Sequence, residues 1–141
     1  MKQYQNVYME NQIMTASPAK LIALLYDGAV DFIEKAKENI KAKDYISANE
    51  NIKKAQDIIM ELNLSLDIER GGEIAKNLRS LYNYFYRRLL EANVKKDTNI
   101  LEEVKEFIKD LSDVWKEAMK KEGKNLSKLS VPSNSTFTVS G

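Results

Sequence analysis

Apolar side chains recur every three or four positions through four long stretches of this 141-residue chain, at about 18–41, 44–66, 73–93 and 98–121. Such spacing gathers them on one face of an α-helix, and that face must be covered by other helices. The links between the stretches are short, which places successive helices antiparallel. The pattern therefore predicts an all-α fold, an antiparallel up-and-down four-helix bundle. A solenoid of helical pairs is the weaker alternative, because its helices are usually shorter than these.

Capping residues mark three of the helix starts. Ser17 and Pro18 form a strong start signal, since the Ser17 hydroxyl can accept from a first-turn N–H and Pro18 is preorganised for that turn. Asp44 is expected to cap the second helix, and Asp97 or Thr98 the fourth. These signals place the predicted boundaries of the helices close to the ends of the apolar pattern.

The third helix is expected to follow a glycine pair, Gly71–Gly72, whose tolerance of positive φ suits the end of a helical segment. From about Glu73 to Asn93, its expected core stripe is Ile74, Leu78, Leu81, Phe85 and Leu89. The expected core side of the fourth helix is wider: Ile100, Leu101, Val104, Phe107, Ile108, Leu111, Val114, Trp115, Ala118 and Met119.

The chain contains no histidine and no cysteine, and 22 basic residues balance 21 acidic ones. It therefore lacks the commonest general base, thiol nucleophiles, zinc–thiolate sites and disulfides. We expect no metal, no cofactor and no catalytic residue, and a protein that is not an enzyme. The balanced charge argues against nucleic-acid binding, which usually needs a basic face. No stretch approaches the roughly 18 apolar residues of a membrane span, so membrane insertion is not expected.

A single helical domain is expected over residues 1–124, with distinct segments at its two ends. Residues 1–16 carry scattered apolar side chains, including Tyr8, Ile13 and Met14, and are expected to cap part of the bundle. The first half of helix one, Leu21–Tyr26, is apolar nearly all round and needs such a cover. Residues 125–141 are rich in Ser, Thr and Asn and are expected to form a flexible tail.

The second helix carries more apolar side chains than one buried stripe requires. Its stripe is Ala48, Ile52, Ala55, Ile59, Leu62 and Leu66. Ile58, Met60 and Leu64 point away from that stripe, as Leu24 does on helix one. Each is ordinary by itself. Together they indicate an apolar groove for an amphipathic partner helix, to which an off-stripe Tyr84 would be suited.

Three segments of the sequence together resemble the FliS family of bacterial flagellar secretion chaperones. They are Thr15–Ile22 with its continuation to Ala29, Lys54–Ile59 with Glu61–Leu62 and Leu66–Asp67, and Gly71–Ala75 with Leu81–Tyr82. The resemblance covers about Tyr8 to Trp115. It implies an antiparallel helical bundle in the cytoplasm that binds the C-terminal segment of flagellin, prevents early polymerisation and delivers it to the flagellar export apparatus.

The resemblance also implies that the N-terminal segment, here Tyr8, Ile13 and Met14, lies over part of the binding surface when flagellin is absent. We hypothesise that apolar residues of helices two and three form the flagellin-binding groove, namely Leu62, Leu66, Leu78, Leu81 and Tyr84.

Other functions remain open at this point. The apolar excess could make a homodimer in a self-associating structural bundle, or sequester another helical protein as a regulator does. An enzyme built from Lys, Tyr or carboxylates is the least favoured alternative, since the sequence shows no convergent set of such residues.

Overall fold

The computed structural model describes residues 17–122, which form four α-helices. They are α1 (Pro18–Lys41), α2 (Tyr45–Leu64), α3 (Ile68–Lys95) and α4 (Thr98–Glu122). The predicted all-α four-helix bundle is confirmed. The expected N-terminal cap (Tyr8, Ile13, Met14) and the expected tail at 125–141 lie outside the described residues.

The predicted caps form the expected hydrogen bonds. The Ser17 hydroxyl accepts from the Lys20 N–H at 3.2 Å, and the Asp44 carboxylate accepts from the Ser47 N–H at 3.1 Å. Asp97, rather than Thr98, caps α4, with its carboxylate accepting from the backbone N–H groups of Asn99 and Ile100. These local signals fix three helix starts without help from the rest of the fold.

The main run of α3 begins after Gly72, close to the predicted start at about Glu73, but an additional helical turn at residues 68–71 precedes it. Asp67 caps an earlier start, accepting from the Arg70 N–H at 3.1 Å, and the chain turns once before Gly72. Gly72 has φ 57° and ψ −135°, so the positive φ expected of the glycine pair is present, and it forms a kink between the first turn and the rest of α3.

Residues near the start of one helix contact residues near the end of its neighbour, which shows that the bundle is antiparallel. From the start of α1 to its end, Ala19 meets Trp115, Asp27 meets Lys116 and Glu34 meets Lys105. The same reversal joins α2 to α3, where Asn49 pairs with Asn93 and Asn63 with Asn83. Each helix therefore packs beside two others, in the order α1, α2, α3, α4 and back to α1.

The core contains side chains from all four helices. Its largest fully buried members are Tyr26, Tyr82, Phe85, Ile33, Ile52, Ile59, Leu62, Leu89, Leu101, Ile108 and Val104. The indole of Trp115 lies at one end, 7% exposed, donating from Nε1 to the Ala19 carbonyl at 2.9 Å. Its ring meets that of Tyr26 edge to face at 6.4 Å, so the start of α1 is fastened to the end of α4.

Three expected core residues are exposed: Ile74 (61%), Phe107 (44%) and Val114 (67%). On α3 the buried apolar residues are Ala75, Tyr82, Phe85, Leu89 and Ala92. All three exceptions border the seam between α3 and α4, which is the most loosely packed of the four neighbouring pairs. The core prediction failed there because the two helices leave their facing apolar sides partly uncovered.

Candidate partner-binding groove

An apolar strip of exposed and half-buried side chains follows the seam between α3 and α4. We call it the α3–α4 groove and define it by Ile74, Leu78, Leu81, Tyr84, Phe107, Leu111, Val114 and Ala118. Ile74, Phe107 and Val114 are exposed, while the other five are half-buried and pack against the core. The groove therefore presents its apolar side chains to solvent while resting on fully buried neighbours such as Phe85.

Helical spacing on two antiparallel helices produces the groove. Tyr84 faces Phe107, with ring centroids 6.4 Å apart. Residues three or four positions apart lie on one face of a helix. From that contact, α3 therefore presents Leu81, Leu78 and Ile74 on successive turns, and α4 presents Leu111, Val114 and Ala118 beside them. The result is a strip long enough to receive several turns of a partner helix.

A cluster of aromatic and charged side chains closes one end of the groove. Phe107 contacts the rings of Tyr84 and Phe85, the latter at 5.7 Å. The Glu103 carboxylate accepts from the Tyr84 hydroxyl and from Arg88, each at 2.7 Å. Arg88 also donates to Glu91 at 2.7 Å. These bonds tie α3 to α4 at this end and hold Tyr84 at the groove wall.

The charges at the closed end reinforce one another. Hydrogen bonds from Arg88 and then Tyr84 lower the pKa of Glu103, and the bond to Glu103 raises the pKa of Tyr84. Hydrogen bonding to Glu103 and Glu91 raises the pKa of Arg88. At neutral pH the carboxylate and guanidinium stay charged and the phenol stays neutral. One end of the groove thus offers a fixed ion pair beside an apolar strip.

The structure brings together three of the five predicted groove residues. Leu78, Leu81 and Tyr84 are half-buried on the side of α3 that faces the groove. Leu62 is fully buried in the core and Leu66 is 7% exposed, so neither contributes a wall of this groove in the described conformation. Helical spacing alone does not separate a buried leucine from one at a groove edge.

The wall contributed by α4 was missed at the sequence level, because Phe107, Leu111, Val114 and Ala118 were assigned to the core. The signal was present in the width of the expected core side, since ten apolar positions exceed what one helix buries against two neighbours. An apolar stripe that is too wide indicates an uncovered seam.

A second row of exposed apolar side chains follows the outer side of the α2–α3 seam: Ile46, Met60, Leu64, Leu90 and Val94. The prediction that Met60 and Leu64 point outward is confirmed, with exposures of 47% and 69%. Ile58 instead turns towards α1 and is half-buried, because Gly28 leaves room for it. A Cβ at position 28 would lie 3.2 Å from Ile58 Cδ1.

The two seams of α1 are polar by contrast. Lys105 pairs with Glu34 at 3.0 Å, Lys116 pairs with Asp27 at 2.9 Å, and Lys37 pairs with Glu102. Asn51 donates to Asn39 at 2.7 Å between α1 and α2. Exposed apolar surface is thus concentrated around α3, whereas the outer edges of the two α1 seams carry ion pairs and an amide–amide hydrogen bond.

Within residues 17–122 no group of three or more potential ligand side chains is placed to hold a metal ion. Of the four helices described, none has the length and apolar character that crossing a bilayer requires. The arrangement of the α3–α4 groove suits non-covalent binding, since it combines apolar area with a few oriented polar groups.

Comparison with known proteins gives consistent results. The family model described as "Flagellar protein FliS" matches residues 1–122. The flagellar secretion chaperone FliS of Bacillus subtilis is 42% identical over 118 residues, which are 84% of this chain and 87% of that protein. FliS of Salmonella typhimurium is 40% identical over 117 residues (82% and 87%). FliSB of Pseudomonas aeruginosa is 40% identical over 115 residues (82% and 91%).

Proposed function

The chain belongs to the FliS family of flagellar secretion chaperones, and from that premise we propose that it binds the C-terminal amphipathic segment of flagellin in the cytoplasm. By doing so it prevents premature polymerisation and keeps the client ready for the flagellar export apparatus. The observation that carries the proposal is the α3–α4 groove, an apolar strip with one charged end, whereas the two seams of α1 are edged with ion pairs and amides.

Burial alone is sufficient for this activity. An amphipathic segment that assembles through its apolar face is blocked when the same face lies in a groove. Each square ångström of apolar surface removed from water contributes about 25 cal/mol. Ordering a flexible client costs a few kcal/mol or more, which offsets part of this gain. The resulting complex is stable but reversible, as delivery to an export machine requires, and no bond is made or broken.

In this proposal Leu78, Leu81 and Tyr84 contact the apolar face of the client from α3, and Phe107 and Val114 contact it from α4. Polar side chains at the edge of the client helix meet the Arg88–Glu103 pair at the closed end. Leu62 and Leu66 act through the core that supports α2 and α3, because neither is exposed.

We also propose that the N-terminal segment covers part of this surface before the client arrives. It joins the bundle at Ser17, next to the site where Ala19 is fastened to Trp115. Ala118, at the end of the groove opposite the Arg88–Glu103 pair, follows Trp115 by three residues on α4, and Ile13 and Met14 precede Ser17 by four and three residues in the sequence.

The test compares two identical substitutions at exposed valines. Val114 lies in the α3–α4 groove and is 67% exposed, whereas Val94 lies on the α2–α3 seam and is 77% exposed. Val114→Glu places a carboxylate against the apolar face of the client, and we expect flagellin C-terminal peptide to bind at least tenfold more weakly by isothermal calorimetry. Val94→Glu should bind as the unchanged protein does. Equal affinities for the two variants, or no binding by the unchanged protein, would refute the proposal.

A further inference from the structure

The outer face of α2 carries a stripe of exposed residues that the proposed function does not use. Its members are Ile46, Lys53, Asp57 and Leu64, and all four are exposed. Their separations of seven, four and seven residues place them on one line along the helix, since seven residues complete nearly two turns. Ile46 and Leu64 are 78% and 69% exposed, the largest values for apolar residues of α2.

The stripe is symmetric about Ala55. Ile46 and Leu64 lie nine residues on either side of that position, and Lys53 and Asp57 lie two on either side. Two antiparallel copies of α2, related by a twofold axis at residue 55, therefore bring Ile46 of each copy to Leu64 of the other. The same operation brings Lys53 of each copy to Asp57 of the other. One axis thus satisfies both the apolar and the charged pairs.

We propose that the outer face of α2 is the interface of a homodimer with this antiparallel, twofold geometry. A contact of this kind is isologous, in that one surface patch meets a second copy of itself and closes the assembly at two. The spacing of Ile46, Glu50, Lys53, Asp57, Met60 and Leu64 alternates between four and three residues, as seam positions of a coiled coil do, with Glu50 of each copy beside Met60 of the other.

Neighbouring residues of α3 widen the apolar surface. Leu90 and Val94 are 52% and 77% exposed on the α2-facing side of α3, and Met60 of α2 lies along the same seam. Asn93 donates to Asn49 and Asn63 to Asn83, at 2.7 and 2.8 Å, so α2 and α3 present this surface as one rigid pair. A second α2 helix therefore packs on α2 and on the adjoining edge of α3.

The two charges in the stripe select the register. Neither Lys53 nor Asp57 forms an ion pair with another residue of the described range 17–122, which leaves both available to a second copy. A polar group at a helix seam specifies orientation, because most other registers leave it opposite an unsuitable neighbour. A parallel arrangement in register would place Lys53 against Lys53 and Asp57 against Asp57.

The chain has no cysteine, so cysteine cross-linking tests this geometry directly. Two single variants, Ile46→Cys and Leu64→Cys, are purified separately, mixed and oxidised. The twofold axis brings position 46 of one copy to position 64 of the other, so the mixture should form disulfide-linked dimers at least tenfold faster than either variant alone. In each single variant the two cysteines lie about 27 Å apart, from eighteen residues at the helical rise.

The control mixture pairs Ile46→Cys with Val114→Cys, which is also exposed but lies in the α3–α4 groove. It should cross-link no faster than the single variants. Equal rates for the two mixtures would overturn the proposed interface. Flagellin is absent from this experiment, so its outcome does not depend on whether the α3–α4 groove binds the client.

Charge exchange provides an independent measurement by light scattering after gel filtration. Lys53→Asp alone and Asp57→Lys alone each create like-charge pairs and should weaken the dimer several-fold. The double variant Lys53→Asp/Asp57→Lys restores opposite charges across the axis and should recover the dimer. Leu64→Glu should yield a monomer with unchanged helical circular dichroism. A dimer equally stable in Leu64→Glu, or a monomeric unchanged protein at high concentration, would refute the proposal.

Discussion

The hydroxyl groups of Tyr26 and Tyr82 hydrogen-bond to each other at 2.6 Å inside the core, joining α1 to α3 across the bundle. Both residues are almost completely buried, and burial raises the pKa of each phenol, that of Tyr82 strongly. Both hydroxyls therefore stay protonated in neutral solution. Two polar groups in an apolar core satisfy each other, and each depends on the other for its partner.

We expect this dependence to appear in a double-mutant cycle. Tyr26→Phe or Tyr82→Phe leaves the remaining hydroxyl buried without its partner, which should lower the free energy of unfolding by about 1–3 kcal/mol. The double variant removes both polar groups and should be less destabilised than the sum of the single ones. Urea denaturation measures all three, with Tyr45→Phe, which is 48% exposed, as a near-neutral control. Additive effects would show that the two hydroxyls act independently.

Gly72 provides a test of backbone conformation. Its φ of 57° with ψ of −135° is rarely adopted by L-residues, and nothing lies within 4 Å of a Cβ built there. Gly72→Ala should therefore cost about 1–3 kcal/mol of stability through the backbone alone. Gly71→Ala, next to it but without a positive φ, should stay within about 1 kcal/mol of the unchanged protein. Equal thermal midpoints for the two variants would contradict this assignment.

Substitutions at Leu62 and Val114 distinguish the effect of a core residue from that of a groove residue. Leu62 is fully buried, so Leu62→Ala should leave a cavity and lower the free energy of unfolding by about 2–5 kcal/mol. Val114 is 67% exposed, and Val114→Ala should change it by about 0.5 kcal/mol or less. Affinity for the flagellin peptide should change in the opposite order, falling more in Val114→Ala than in Leu62→Ala, when each variant is measured well below its unfolding temperature. A client affinity that fell only in Leu62→Ala would place the binding surface elsewhere.

How far the sequence predicts this protein depends on the range of the interaction involved. The caps at Ser17, Asp44 and Asp97 form as expected because each involves a side chain and a backbone N–H two or three residues away. The buried stripe of α2 was also predicted correctly. The exposure of Ile74, Phe107 and Val114 was not, because whether an apolar face is covered depends on the separation of α3 from α4, which local spacing does not specify.

The same reasoning explains the mixed result for the candidate groove. Leu78, Leu81 and Tyr84 lie at the α3–α4 seam, whereas Leu62 and Leu66 are buried. Apolar residues recur at the same helical spacing whether their side chains are buried in the core or line the edge of a groove. The position of the neighbouring helix determines which of the two environments a side chain has.

Acid should weaken the polar seam between α1 and α4. Hydrogen bonds from Lys37 and then Lys105 lower the pKa of Glu102 to about 2. Its ordinary value in an unfolded chain is about 4.3. A lowered folded pKa gives stability that is complete above the unfolded value and is lost as the pH falls through the folded one. The seam should therefore lose strength between about pH 4.3 and about pH 2.

Urea denaturation across this pH range checks the prediction. Glu102→Gln should be less stable than the unchanged protein at neutral pH by about 1 kcal/mol or less, because the carboxylate is 42% exposed. The difference should shrink on acidification. Glu117→Gln, an exposed carboxylate with no ion pair to another residue of the described part of α1–α4, serves as the comparison. If the stability difference between Glu102→Gln and the unchanged protein grew as the pH fell, the predicted pH dependence would be wrong.

Trp115 has a consequence for how this molecule is observed. It is the only tryptophan in the chain, and its indole is enclosed between Tyr26 and the Ala19 carbonyl. Its intrinsic fluorescence therefore reports on a single location, the junction where α1 begins and α4 approaches its end. If that junction loosens, the indole meets water and its emission shifts to longer wavelength. Movements of α1 against α4 at this junction can therefore be followed in real time without attaching a dye.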